Sequence, residues 1–272
     1  MNKNDAHPSM AWVSAVLLSS RLSSRNLKPE AATRSDLHGR LRADAFPITR
    51  AFDITAESVT LGSVGGDYYD FAGISRTQLV LILADVSGNG IKAAQHAVKM
   101  KHIFHGIMSD FGGLTDAVTR ANEAVMKTFE RGTFLSAVML LLDAESGHAS
   151  MVRCGHCFPL HWEMTSRAVR VLSPPGLGLG IASKESGSLN QEHAFSIGEG
   201  DCLLLYTDGL TEARDPLKGE YGLDRLIDSF GQKAEMPTQA LVGGLLAQAH
   251  EFGGNPADDM TVMAIRRKMA LV

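Results

Sequence analysis

At 272 residues and 29.2 kDa, with 44% hydrophobic and 21% charged residues, the chain has the make-up of a folded protein of one or two domains, which excludes disorder as its main state. Its 26 Lys and Arg against 30 Asp and Glu leave a net charge of −4, so no overall field draws it to nucleic acid or to an anionic membrane. Eight basic and four acidic residues fall in positions 1–50, leaving −8 from residue 51 onward, and an acidic body suits bound divalent cations better than unassisted anionic ligands.

The first predicted element is a short amphipathic helix over residues 9–27, with Trp12, Val13, Val16, Leu17 and Leu22 at near-helical spacing. Its apolar stretch Ala11 to Leu18 is too short to span a membrane. Asp5 before it and the Ser/Arg-rich segment after it do not suit a secretory leader, so a cytoplasmic location is expected. Lys28 to Pro47 is polar and reads as a linker. The domain division expected is therefore 1–47 for helix and linker and 48–272 for the main body.

From Phe52 onward strands dominate, with runs at Gln78–Ala84, Phe134–Leu142, Ala149–Cys154, Ala168–Leu172, Cys202–Tyr206 and Met260–Arg266. Helical periods occupy Ile91–Met108, Leu114–Glu130 and the region Thr238–His250. Strands and helices are segregated, not alternating one for one, which favours an α+β fold of antiparallel sheets with packed helices. Cys154, Cys157 and Cys202 are too few and too irregular for a disulfide framework, in keeping with a reducing compartment.

Four aspartate clusters stand beside glycine or at a strand end: Gly65-Gly66-Asp67, Asp85-Val86-Ser87-Gly88, Thr207-Asp208-Gly209 and Ala257-Asp258-Asp259-Met260. Any one of them alone reads as a turn. Four together can line one acidic pocket, because a short carboxylate at a sheet rim with a flanking glycine lets carbonyls and a hydrated ion come close. Oxygen ligands without a matching His/Cys set favour Mg²⁺ or Mn²⁺ over Zn²⁺. Asp208 is the clearest case, since the strand Cys202–Tyr206 runs straight into it and Leu210-Thr211-Glu212-Ala213 provides no immediate partner strand.

In order along the chain, Gly65-Gly66-Asp67-Tyr68-Tyr69-Asp70, Asp85-Val86-Ser87-Gly88-Asn89-Gly90, Gly155-His156, Pro174-Pro175-Gly176-Leu177-Gly178, Tyr206-Thr207-Asp208-Gly209-Leu210-Thr211-Glu212-Ala213 and Asp258-Asp259-Met260-Thr261 resemble the motifs of bacterial PPM-type (type 2C) serine/threonine phosphatases of the SpoIIE-like branch. The match covers roughly residues 50–267, and ordered motifs over that length are far more specific than any one of them. The resemblance implies a PP2C-like α/β/β/α sandwich of two antiparallel sheets flanked by helices, with two divalent cations, Mn²⁺ or Mg²⁺, at one end.

Carried over by position, Asp85 would bridge both ions, with Asp67 and the Val86 carbonyl as further ligands and Asp208 and Asp258 on the other side. Between Asp258 and Asp259 the resemblance favours Asp258. The four residues Asp67, Asp85, Asp208 and Asp258 would act in catalysis through a water acidified by the two ions, which also clamp a phosphoryl oxygen. No histidine has a motif that makes it the general acid. Asn89 stands where many relatives have His, and Cys154 and Cys157 replace the usual Ala and Asn around Gly155-His156.

The implied function is hydrolysis of phosphoserine or phosphothreonine on a bacterial regulatory protein. In this branch the usual substrate is a phosphorylated anti-anti-sigma factor with a STAS fold, in a partner-switching pathway. Residues 9–27 would support a homodimer, because a helix before the catalytic domain does so in related enzymes, and Ile91–Met108 and Leu114–Glu130 resemble their switch helices. The alternatives are a catalytically silent phosphoprotein-binding module of the same fold and a metal-dependent phosphoesterase acting on a small molecule.

Three competing motifs carry less. Gly88-Asn89-Gly90-Ile91-Lys92-Ala93 matches a dinucleotide fingerprint, but Asp110 closes a helical period where an acid should end a second parallel strand. Cys154-Gly155-His156-Cys157 lacks a second ligand pair and a helix start, so buried thiols are the expected reading. His96, His102 and His105 are expected on a solvated cationic face of their helix.

Overall fold

The computed structural model describes residues 51–62, 64–183, 190–215, 217, 219–254 and 257–270. The expected helix 9–27, its linker and the boundary at 47/48 lie outside the described residues.

Seventeen elements follow in chain order: β1 (Phe52–Val59), β2 (Tyr68–Gly73), β3 (Gln78–Val86), α1 (Gly90–Met108), α2 (Leu114–Thr128), β4 (Leu135–Asp143), β5 (His148–Cys154), β6 (Leu160–Glu163), β7 (Ala168–Val171), β8 (Glu192–Ser196), β9 (Cys202–Tyr206), α3 (Asp208–Thr211), β10 (Arg214–Asp215), β11 (Gly219–Glu220), α4 (Gly222–Lys233), α5 (Thr238–Gly253) and β12 (Met260–Arg267). One five-stranded sheet runs β2-β3-β4-β5-β8 and the other β1-β12-β9-β6-β7. Every pairing within them is antiparallel, which removes the dinucleotide-fold reading.

The layering follows from strand periodicity. In β3, Leu79, Leu81 and Leu83 pack between the two sheets with Leu203, Leu205, Met263 and Ile265 of β9 and β12. Their neighbours Val80, Ile82 and Ala84 point the other way, into a cluster with Ala94, Ala97, Met100 and Phe104 of α1 and Ala117, Val118, Ala121 and Val125 of α2. The outer face of the second sheet is covered in the same way by Leu226 and Phe230 of α4 and Leu241, Val242, Leu245 and Leu246 of α5. Helices thus cover both outer faces, so β3, β4, β9 and β12 are buried on both sides and read as unbroken apolar runs despite being antiparallel. Among the described residues, no helix is long and apolar enough to cross a membrane.

The same alternation aims the polar residues. Asp67 and Asp85 share the parity of Tyr69 and Leu83 and face the space between the sheets at one end of the sandwich, whereas Asp70 shares that of Tyr68 and faces α1. Asp70 is buried there, accepting from Tyr68 Oη (3.0 Å), His105 Nε2 (2.9 Å) and the Phe71 N–H (2.8 Å), with Lys101 Nζ at 3.6 Å.

The histidines of α1 depart from the sequence expectation. Only His102 stands exposed, while His96 is buried with its ring 4.4 Å from that of Phe129 and His105 is held by Asp70. The face expected to be solvated therefore holds residues on which the helix docks.

Candidate metal centre

Strand pairing brings the four aspartate clusters to one end. Tyr68 opposes Ala84, which sets Asp67 and Asp85 side by side at the ends of β2 and β3. Val262 opposes Tyr206, and the Thr207 N–H donates to the Thr261 carbonyl at 3.0 Å, so Asp208 and the Asp258-Asp259 pair leave adjacent strands of the other sheet. Asp208 opens α3, and no hairpin follows it directly. The sequence singled out Asp67, Asp85, Val86, Asp208, Asp258 and Asp259, and all six lie at this end.

Two residues that sequence reasoning missed tie the halves together. Thr207 and Thr261, from β9 and β12 ends, both donate their hydroxyls to Asp67 Oδ2, at 2.8 and 2.5 Å. The period of two points both threonines inward, with Leu205 and Met263, and this was the signal available in the sequence. Behind Asp85, its cross-strand partner Ser136 shares a 2.6 Å hydrogen bond with His156 Nδ1. Burial and the nearby Arg153 hold the His156 imidazole down at about 4, so it is neutral near pH 7.

Glycines make the close approaches possible. A Cβ on Gly66 would lie 2.9 Å from the Val86 carbonyl oxygen and 3.5 Å from Asp85 Oδ1, and one on Gly209 would lie 2.1 Å from the Asp259 carbonyl oxygen. A side chain at either position would fill the space the acidic residues surround.

Asp258 and Asp259 differ in what they do. Asp259 is buried, and its two oxygens accept the Leu61 N–H (2.8 Å) and the Gly66 N–H (2.7 Å), holding the β1–β2 turn onto the end of β12. Asp258 is exposed, and its Oδ1 accepts the N–H of Asp259 at 2.8 Å. The carboxylate with oxygen lone pairs to spare is Asp258.

Burial and the neighbouring carboxylates raise the pKa of Asp67, Asp85 and Asp258. Burial, then the charges of Asp208, Asp258 and Asp259, push Asp85 up to about 7. Burial and then Asp85 hold Asp67 well above the usual carboxylate range, and burial raises Asp258, with Asp259 and Asp208 adding to it. Cys157 is pushed up to about 12 by burial, followed by Asp208 and Asp85, so it is an inert thiol beside the centre. Cys154 is buried and both are free.

The donor set fits hard divalent cations. Among the described residues, no three His, Cys, Asp or Glu side chains already close around one point. Mg²⁺ keeps several waters and takes one or two carboxylates, so an open arc of aspartates with a carbonyl suits it, whereas Zn²⁺ prefers a closed nitrogen and sulfur set.

The family model for Stage II sporulation protein E (SpoIIE) matches residues 75–268. The chain is 26% identical over 263 residues to protein IcfG of Synechocystis sp., covering 82% of this chain and 39% of IcfG. It is 22% identical over 247 residues to the phosphoserine phosphatase RsbU of Bacillus subtilis, covering 90% of this chain and 72% of RsbU. The structure of the RsbU and RsbW domains of Rv1364c from Mycobacterium tuberculosis superposes with a TM-score of 0.70 at 24% identity, covering 80% of this chain and 60% of that one. RsbX in complex with magnesium gives 0.59 at 16% identity, covering 81% of this chain and 97% of RsbX. The chain thus spans well under half of IcfG and about three-fifths of the Rv1364c structure.

Proposed function

The chain belongs to the SpoIIE family, and from that premise we propose that it is a metal-dependent protein serine/threonine phosphatase. Its substrate would be phosphoserine or phosphothreonine on a regulatory protein, with a STAS-fold anti-anti-sigma factor as the class of partner. The observation that carries the reading is the convergence of Asp67 and Asp85 from one sheet with Asp208 and Asp258 from the other, around a space that Gly66 and Gly209 keep open. RsbU, a phosphoserine phosphatase, and RsbX, which binds magnesium, support the same direction.

In this reading Asp67, Asp85, Asp208, Asp258 and the Val86 carbonyl hold two divalent cations, Mn²⁺ or Mg²⁺. When bound, such ions supply Lewis-acid stabilisation of phosphoryl charge and acidify water near neutral pH. The protein's own part is orientation. Thr207 and Thr261 both donate to Oδ2 of Asp67 and so fix its carboxylate between the two sheets. Ser136 and the neutral His156 pack behind Asp85, and Asp259 secures the Leu61–Gly66 turn that carries Asp67. Residues 48–272 would form the phosphatase domain, with 1–47 as a leading helix and linker and 9–27 as a dimerising segment.

The test is Mn²⁺-dependent phosphate release from p-nitrophenyl phosphate and from a serine-phosphorylated STAS protein. Wild type, Asp85→Ala and Asp208→Asn would be compared with and without chelator. A loss on the order of a hundredfold or more in both variants and in chelator is expected. Folded wild type that binds the phosphoprotein without turning over any substrate would instead favour the silent binding module. Turnover confined to the small ester would favour a small-molecule phosphoesterase.

A further inference from the structure

A cleft of about 540 Å³ opens beside the aspartates, between the turn that follows β1 and the first turn of α1, with Leu61, Val64, Asn89, Ile91, Lys92 and Asp258 among its walls. Asp258 belongs to the carboxylate cluster, so the cleft is continuous with the proposed reaction centre. Its volume lies in the range of sites that take ligands of many atoms, far more than a phosphoryl group needs.

The walls have a particular chemistry. Leu61, from the turn after β1, and Ile91, from the first turn of α1, are large apolar side chains left exposed, and both line the cleft together with the buried Val64. An α-helix start ordinarily favours acidic or capping side chains. Here the first turn of α1 holds no acid, Asn89 makes no side-chain cap, and Ile91 and Lys92 stand there instead. Lys92 is the cation of this wall, and its carboxylate neighbour Glu130 is 3.8 Å away with both side chains mostly exposed. The wall around Leu61 and Ile91 is therefore apolar, with Lys92 beside it and Asp258 and Asp259 where the cleft meets the acidic centre. Phe134, Phe158 and Ile181 also stand exposed on loops at this end, and Phe134 is tied to the loop after β3 by hydrogen bonds with Ser87.

We propose that this cleft receives the residues flanking the phosphoserine of a protein substrate, and that Leu61 and Ile91 select an apolar side chain next to the phosphorylated position. The proposal rests on the phosphatase reading and deepens it, because it says what the enzyme reads besides the phosphate. A small ester has nothing to place in the cleft, whereas a flanking leucine would bury itself against both residues.

The experiment uses two nonapeptides, each with a central phosphoserine, flanked on both sides by leucine in one and by glycine in the other. kcat/KM is measured for each with wild type, Leu61→Ser, Ile91→Ser and the double variant in Mn²⁺. In parallel, fluorescence anisotropy measures binding of the matching peptides in which a non-hydrolysable phosphonate replaces the phosphate. Wild type should favour the leucine peptide by about tenfold in both measurements, and the double variant should bring the ratio close to one.

Because each ratio is taken within one enzyme, a change in folded fraction cancels. Wild type that treats the two peptides alike overturns the proposal whatever the variants do. So does a leucine preference that survives both substitutions. Leucine-selective binding without any turnover would sink the hydrolase reading while leaving the cleft's role standing, and turnover without selectivity would do the reverse.

Discussion

Asp258 and Asp259 are neighbours in sequence with opposite surroundings. Removing the Asp259 carboxylate leaves the N–H groups of Leu61 and Gly66 without their acceptor. Asp259→Ala should therefore cost about 2–4 kcal/mol of stability, since an orphaned buried donor costs about 1–3 kcal/mol. Asp258→Asn removes an exposed charge from a repulsive cluster and should leave the metal-free protein at least as stable, while weakening Mn²⁺ binding about tenfold or more. Urea unfolding in chelator, alongside Mn²⁺ titration by calorimetry, separates the two, and the opposite pattern would make Asp259 the ligand. The sequence marked both carboxylates as candidates, and the favoured choice of Asp258 came from resemblance. What distinguishes them physically is a pair of hydrogen bonds to a turn almost two hundred residues away, which no local pattern encodes. The roles of Thr207 and Thr261 were hidden for a different reason: a threonine at a strand end is ordinary until its partner on the facing sheet is known.

At the scale of elements, α1 joins the metal end to the sheet face. Its N-terminal turn follows Asp85 by a few residues, and its C-terminal half is held by Asp70 through His105 and Lys101. Asp70 is buried, which by itself would raise its pKa, but the hydrogen bond from His105 and the charge of Lys101 hold it below the usual carboxylate value. A lowered folded pKa contributes stability that is present above the unfolded value near 4 and is lost as pH falls through the folded one. Asp70→Asn should cost about 3 kcal/mol near pH 7, as expected for breaking a buried ion pair. The gap to wild type should narrow as the pH is taken from 6 to 3. Chemical denaturation across that range tests it, and a gap independent of pH would show that packing alone holds the helix.

Of the elements themselves, those with long runs were legible. β9 was read at its observed ends, and β3, β4, β5, β7, β12, α1, α2 and α5 fall within a few residues of expectation. β6 buries three of its four residues in succession and β8 is largely exposed, so neither offers the alternation that marks the equally short β7. α4 places Leu223, Leu226, Ile227 and Phe230 on one face, but it is bounded by Gly222 and carries Gly231, which weaken a helix signal.

For the whole molecule, the consequence of an acidic body is concentrated where the two sheets meet. Asp67 and Asp85 belong to one sheet and Asp208 and Asp258 to the other, so without cations their repulsion pushes the layers apart at that end, opposed there by the Thr207 and Thr261 hydroxyls on Asp67. Bound ions turn the same residues into a cross-link between sheets, and a ligand that binds only the folded state raises its stability by mass action. The pH dependence follows from Asp85, raised to about 7, and from Asp67, raised with it. For an acid whose folded pKa lies above its unfolded value, ionisation costs stability, so the contribution of these two carboxylates to the metal-free protein should be most favourable below about pH 4 and be lost as pH rises through about 7. Cations bind the deprotonated carboxylates, so their stabilising effect grows over the same interval. The rise in melting temperature on replacing chelator with Mn²⁺ should therefore be larger at pH 8 than at pH 6 by several degrees, and Asp85→Asn should remove most of that difference. An equal rise at both pH values, or one that Asp85→Asn leaves untouched, would mean that the ions do not hold the two sheets together through these carboxylates.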